Sequence, residues 1–105
     1  MRAGDLDRKI TIERAARGEA DEFNEATLTW TPLASPFAKV AETRGNEFLA
    51  AEQRVAERRA VFTIRFISGI RRTDRIVWDN ECWDITSTRE IGRRMALEIH
   101  AFVRQ

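Results

Sequence analysis

The sequence predicts a mainly β protein: a small antiparallel β-barrel or sandwich of about seven strands with one inserted α-helix, about residues 46–58. Three observations predict it. Most of the chain alternates apolar and polar side chains, the period of a half-buried strand. Turn signals built on Gly, Asn, Asp and Pro separate these runs at short intervals, as antiparallel connections require. One stretch breaks the period. In RGNEFLAAEQRVAE, residues 44–57, Phe48, Ala51 and Val55 recur at three- and four-residue steps, with Leu49 beside them. That is the apolar stripe of an amphipathic helix.

The elements follow in order. MRAGDLD is a polar lead-in. RKITIER is the first strand, with Ile10 and Ile12 on one face and Lys9, Thr11 and Glu13 on the other. AARGEADEFNEA, with its Gly, Asn and acidic residues, reads as a solvated loop or hairpin tip. ATLTWTPL is the second strand, Leu28 and Trp30 alternating with threonines; Pro32 ends it or places it on an edge. SPFAKVAET is the third, with Ala38 and Val40 opposite Phe37 and Lys39. The helix follows, capped by Asn46, with Glu47 at its positive end and Arg58 and Arg59 at its negative end. Its apolar stripe is expected to cover an open end of the barrel, or in part to face another subunit.

AVFTIRFI is the strongest strand, with Phe62, Ile64 and Phe66 sharing a face. SGIRRTD turns around Gly69. RIVWDNECWDITST reads as a hairpin, Ile76 and Trp78 entering Asp79-Asn80 and Trp83 and Ile85 leaving it. REIGRR turns around Gly92. MALEIHAFVRQ is the last strand, with Met95, Leu97, Ile99, Ala101 and Val103 on one face. The predicted core is Phe62, Ile64, Phe66, Trp30, Trp78 and Leu97.

The totals set bounds. A single domain of 105 residues buries roughly 65% of its unfolded surface, enough for one core without staples. Composition is 43% hydrophobic and 33% charged, that of a folded chain. The net charge of +1 argues neither for nor against an acidic partner. The cations are 16 Arg and 2 Lys. Arginine suits forked contacts at interfaces, and a genome rich in G and C gives the same excess. Cys82 is the only cysteine, which excludes an intrachain disulfide and a Cys-based zinc site; on its strand it reads as a small buried hydrophobe. No apolar run approaches the ~18 residues of a membrane span, and the N-terminus lacks an apolar signal core. A reducing cytoplasm, with no membrane partner, is the expected setting.

Catalytic chemistry is not visible. His100 is the only histidine and shares a face with Glu98, Phe102 and Arg104. No HxH, HExxH, CxxC, GxSxG, GxxxxGK[ST] or GxGxxG pattern is present. The chain reads as a non-enzyme with no cofactor and no metal. Two turns carry arginine, Arg71, Arg72 and Arg75 in one and Arg93 and Arg94 in the other. They would suit phosphates, but the interleaved Asp74, Asp79 and Glu90 dilute the field.

Taken together these segments resemble the phage head–tail joining proteins, also called head-closure or stopper proteins, including their counterparts in gene transfer agents. MRAGDLDRKITIER is similar to the family's opening. TLTWTPLASPFAKVAE is similar to its second block. RGNEFLAAEQRVAERRAVFTIRF resembles its helix-to-strand segment, which ends in an Arg-aromatic pair, and GIRRTDRIVWDNECWDITST its hairpin. The resemblance covers essentially the whole chain and rests on order and spacing. Asp79-Asn80-Glu81 stands where many relatives carry Gly, and Trp83 where Tyr or Phe is common.

The resemblance implies a structural protein of the virion neck, assembled in the bacterial cytoplasm. Such proteins form a homo-oligomeric ring of six or twelve copies, six favoured because tails are six-fold. The ring lies between the portal-bound adaptor and the tail terminator or tail tube, closes the head after DNA packaging and docks the tail. Packaged DNA fills the lumen without sequence specificity. The candidate subunit or partner interface is Glu47, Gln53, Arg54, Glu57 and Arg65. The candidate loop contacts are Glu19, Asp21, Glu22, Phe23, Arg71 and Arg72. The acidic loop is expected either to repel DNA in the channel or to dock on the adaptor or tail. The alternatives are a tail terminator or other tail ring component, and a small nucleic-acid-binding β-barrel.

Overall fold

In the computed structural model, residues 3–20, 26–44 and 57–104 are described. A 3-10 turn, Ala3–Asp5, precedes eight strands: β1 (Arg8–Lys9), β2 (Thr11–Ala20), β3 (Ala26–Ala34), β4 (Phe37–Arg44), β5 (Glu57–Arg65), β6 (Arg75–Trp78), β7 (Glu81–Ile91) and β8 (Ala96–Arg104). They form one antiparallel sheet in the order β1-β4-β5-β8-β7-β6-β2-β3. The mainly β class is therefore as the alternation predicts. The extra strand arises because the first predicted strand divides at Ile10. Arg8 and Lys9 pair with β4, while Thr11 to Glu13 pair with β6. Between them the Ile10 N–H donates to the Pro36 carbonyl at 3.0 Å. One continuous run of chain thus lies against both sides of the sheet, which curls round into a barrel-like form.

The curl encloses the core. Ile10, Ile12, Phe62, Ile64, Ile76, Trp83 and Ile99 are its largest fully buried side chains, with Ile85 and Leu97 beside them. Trp83 makes edge-to-face contact with Phe62 at 5.5 Å and tilted contact with Trp78 at 5.9 Å, arrangements that add to the burial term. Phe62, Ile64 and Leu97 are core as predicted, and Trp78 and Phe66 pack on it half-buried. Trp30 is not part of it. It lies on β3, the outer strand of the sheet, with the Arg75 guanidinium 4.1 Å over its ring. Pro32 sits on the same edge strand, where a missing N–H breaks no ladder bond.

Three further expectations change. Cys82 is exposed, not buried. With Trp83 and Ile85 inward, the two-residue period of β7 turns Cys82 and Asp84 outward. Met95 is 67% exposed because β8 begins only at Ala96, after the turn. The predicted loop from Ala15 is mostly strand: β2 continues to Ala20 and β3 resumes at Ala26. The predicted helix lies outside the described residues, except that Glu57 and Arg58 already belong to β5. The extended run of β5 captures them as partners of Arg104 and Val103.

The β6–β7 turn places both Asp79 and Asn80 at positive φ, 56° and 61°, the pairing of a type I′ hairpin. Glycine meets the second position without Cβ cost. Asn80→Gly is expected to stabilise the fold by about 0.5 kcal/mol, seen as a higher thermal midpoint. A lowered midpoint would show that the Asn80 side chain makes a contribution the turn geometry does not require.

Candidate functional site

The strands run between two ends of the curled sheet, and two arginine-bearing connections, 66–74 and 92–95, lie at one of them. At one end β5 finishes with Arg65 paired to Ala96, the first residue of β8. The Phe66 N–H donates to the Met95 carbonyl at 3.4 Å. The loop 66–74 and the turn 92–95 therefore stand side by side. They gather Arg65, Arg71, Arg72, Arg93 and Arg94, all exposed. Arg94 takes a positive φ of 56° and lies 5.5 Å over the Phe66 ring.

Four arginines elsewhere are held by carboxylates. Arg14, Arg58, Arg75 and Arg89 pair with Asp74, with Glu42 and Glu81, with Glu13, and with Glu98. Arg65, Arg72 and Arg93 form no ion pair among the described residues, and Arg71 meets Asp74 through its backbone N–H and through space.

Asp74 sets the shape of this end. Its side chain is fully buried and accepts two bonds from Arg14, Nε at 2.9 Å and Nη2 at 3.0 Å. The Arg71 N–H donates to the same carboxylate at 2.8 Å. Arg14 Nη2 also donates to the Gly69 carbonyl at 2.6 Å, and Gly69 takes a φ of 89° that favours glycine. The loop is thereby fastened to β2. Burial pushes the Asp74 carboxyl upward, but the Arg14 guanidinium and the Arg71 N–H outweigh it and hold the pKa below the ordinary aspartate value. Asp74 is thus neutralised internally, and Asp79 lies at the opposite end of β6. Of the acids expected to dilute the arginine field, Glu90 alone remains exposed near it. Both turns are visible in the sequence as charge, but nothing in it signals that they are neighbours, since residues 65 and 96 meet only through the β5–β8 register.

Beside this end stands an arm. β2 pairs with β6 only over Thr11 to Glu13, but continues with β3 alone to Ala20. Residues 14–20 and their β3 partners form a two-stranded ribbon carrying the acidic segment, with Leu28 on it 62% exposed. At the other end of the barrel, Arg58 clamps three strands. Its Nε donates to Glu42 at 2.6 Å and its Nη1 to both Glu81 oxygens at 2.7 and 2.8 Å, and it lies 5.3 Å over Trp83.

The predicted sites divide between these regions. Glu47, Gln53 and Arg54 lie outside the described residues, as do Asp21, Glu22 and Phe23. Glu19 is on β2. Glu57 opens β5 and Arg65 closes it, so the length of an extended strand separates the two positions. Arg71 and Arg72 lie further along the loop that follows Arg65, at the part fastened to β2 by Arg14 and Asp74. His100 is half-exposed on the outer face of β8, where its Nε2 lies 3.3 Å from Glu98 Oε1 and Arg89 Nη2 lies 3.1 Å from the same oxygen. Among the described residues no group of His, Cys, Asp and Glu side chains could hold a metal ion. The geometry at the arginine end is that of a surface for anionic groups.

Comparison with known proteins adds the following. The model of a family described as "Phage head completion protein" matches residues 1–104. Among solved structures, a chain of the virion of a native gene transfer agent particle superposes with a TM-score of 0.69 at 18% identity, covering 95% of this chain and 96% of that one. A protein of Shigella flexneri 2a solved in solution gives 0.67 at 24% identity, covering 98% and 96%. At these identities both establish the shared fold. No curated protein matches the chain.

Proposed function

We propose that this chain, which belongs to the phage head completion protein family, works in the neck of a phage or phage-like particle. There it forms a ring, six copies being the number that matches a six-fold tail, closes the filled head and presents a docking surface to the tail. The observation that carries this reading is the family match across residues 1–104. The architecture is compatible with it. A curled sheet with different connections at its two ends offers two unlike surfaces, as a stacked component needs toward the adaptor and toward the tail terminator or tail tube. A cyclic ring in turn uses two different patches per subunit. Packaged DNA in the lumen would be met without sequence readout. A tail ring component of similar build is the nearest alternative within the same class. The arginine end favours a second reading, phosphate binding by the isolated barrel, which would weaken steeply with added salt.

Electron microscopy of particles made without this protein tests the proposal. The expected result is heads that leak DNA or lack tails, beside free tails. Full heads with normal tails would overturn the neck reading, and salt-dependent DNA binding would then become the reading to pursue.

A further inference from the structure

We propose that the open edge of β3 in one subunit pairs with the open edge of β4 in a second copy of this chain, continuing the sheet from subunit to subunit. The inference rests on the ring reading above and names a contact within it. β3 has β2 on one side and, among the described residues, no strand on the other. Pro32 shows which of its groups are left over. Paired with Glu13 and lacking an N–H, it can stand only in a non-hydrogen-bonded pair. The register runs without interruption from there to Arg17, so alternation makes the pairs of Trp30 and Leu28 non-bonded as well. The N–H and C=O groups of Leu28 and Trp30 therefore point away from β2, and no group among the described residues takes them. β4 has a matching opening. β5 covers one side of it from Ala38 to Arg44, but β1 covers the other only at Phe37 and Ala38. Lys39 to Arg44 thus present a second bare edge of similar length.

A bare edge calls for another strand, because each unpaired N–H and C=O gains a partner from it. One chain cannot join its own two edges. β3 and β4 follow one another end to end along residues 8–17, with only Ser35 and Pro36 between them. Their openings lie on opposite sides of that line: β3 is open away from β2, and β4 is open on the side of β1. A strand from an adaptor or tail protein would cover one edge and leave the other bare. Copies set head to tail cover both at once. Two different patches per subunit make a heterologous contact, the kind that closes rings. The contact also gives the β2–β3 ribbon beyond Glu13 a third strand, without which a two-stranded ribbon in water is marginal. Leu28, 62% exposed on that ribbon, gains cover.

The test puts photoreactive benzoylphenylalanine in place of Leu28 and irradiates assembled particles. The expected product is a ladder of multimers whose cross-linked peptides contain residues 39–44 of a second copy. Protein that is present in tailed particles but gives no multimer, or multimers joined elsewhere, overturns the contact and leaves the neck reading standing. A cross-link to a different virion protein does the same. Absence of even the unaltered protein from purified particles overturns both. Proline gives a second readout. Leu28→Pro removes an N–H that points outward and leaves every bond between β2 and β3 in place, whereas Leu28→Thr keeps that N–H and removes only the apolar side chain. Leu28→Pro is expected to lower the yield of tailed particles about tenfold, the effect of one lost interstrand bond with its acceptor left unpaired, while the thermal midpoint of the isolated protein stays unchanged. Leu28→Thr is expected to leave the yield near that of the unaltered protein. Equal yields from the two variants overturn the proposal.

Discussion

Trp83→Ala is expected to destabilise the protein by about 3–5 kcal/mol, much of the roughly 5–15 kcal/mol that holds a domain folded. Trp83 is fully buried, meets Phe62 edge-on and Trp78 at a tilt, so its removal opens a cavity where three rings meet. It also takes away the ring beneath Arg58, the guanidinium that joins β4, β5 and β7. Chemical denaturation measures the loss. Phe66→Ala is the control, because Phe66 is only half-buried under Arg94 and should cost less. Equal losses at the two positions would contradict the assignment of Trp83 as the centre of the core.

The second large effect belongs to Asp74. Asp74→Ala is expected to cost about 2–3 kcal/mol, less than a wholly buried pair because Arg14 keeps access to water. It should also release the loop 66–74, read as faster amide exchange there than in β5. The pH dependence follows from the sign of the shift. The folded carboxyl lies below the ordinary aspartate value, so its stabilisation is fully present above that value. It is lost as pH falls through the acid range below it. Asp74→Asn should flatten the acid limb of the stability curve. If the unaltered protein and Asp74→Asn lost stability in parallel below that range, the Arg14 pair would not be what holds the carboxyl down.

Period-two alternation made most strands legible, and Phe62, Ile64 and Leu97 could be placed inside from it. Alternation does not say which face of a strand is inward. On β7 the choice between Cys82 and Trp83 depends on what β6 and β8 present across the sheet, and it turns Cys82 outward against the sequence expectation. Trp30 looked like core because it is large and alternates with threonines, but β3 has a neighbour on one side only, and its ring serves Arg75 instead. The arginine end was half legible. Both turns were visible as charge, but their adjacency is a product of strand register. The role of Asp74 was hidden because an aspartate between arginines reads as surface dilution until its partner sixty residues earlier, Arg14, is placed against it.

The divided first strand has a consequence for the order in which the molecule is made. Residues 8–13 leave the ribosome early, yet their partners on β4 and β6 are Phe37, Ala38 and Arg75 to Val77. The seam of the sheet therefore waits for chain synthesised much later. Contacts so distant in sequence slow folding. Until β6 arrives, Ile10 and Ile12, which end up fully buried, have no complete pocket. The nascent chain thus carries unsheltered apolar side chains on an open strand edge, a state prone to aggregation.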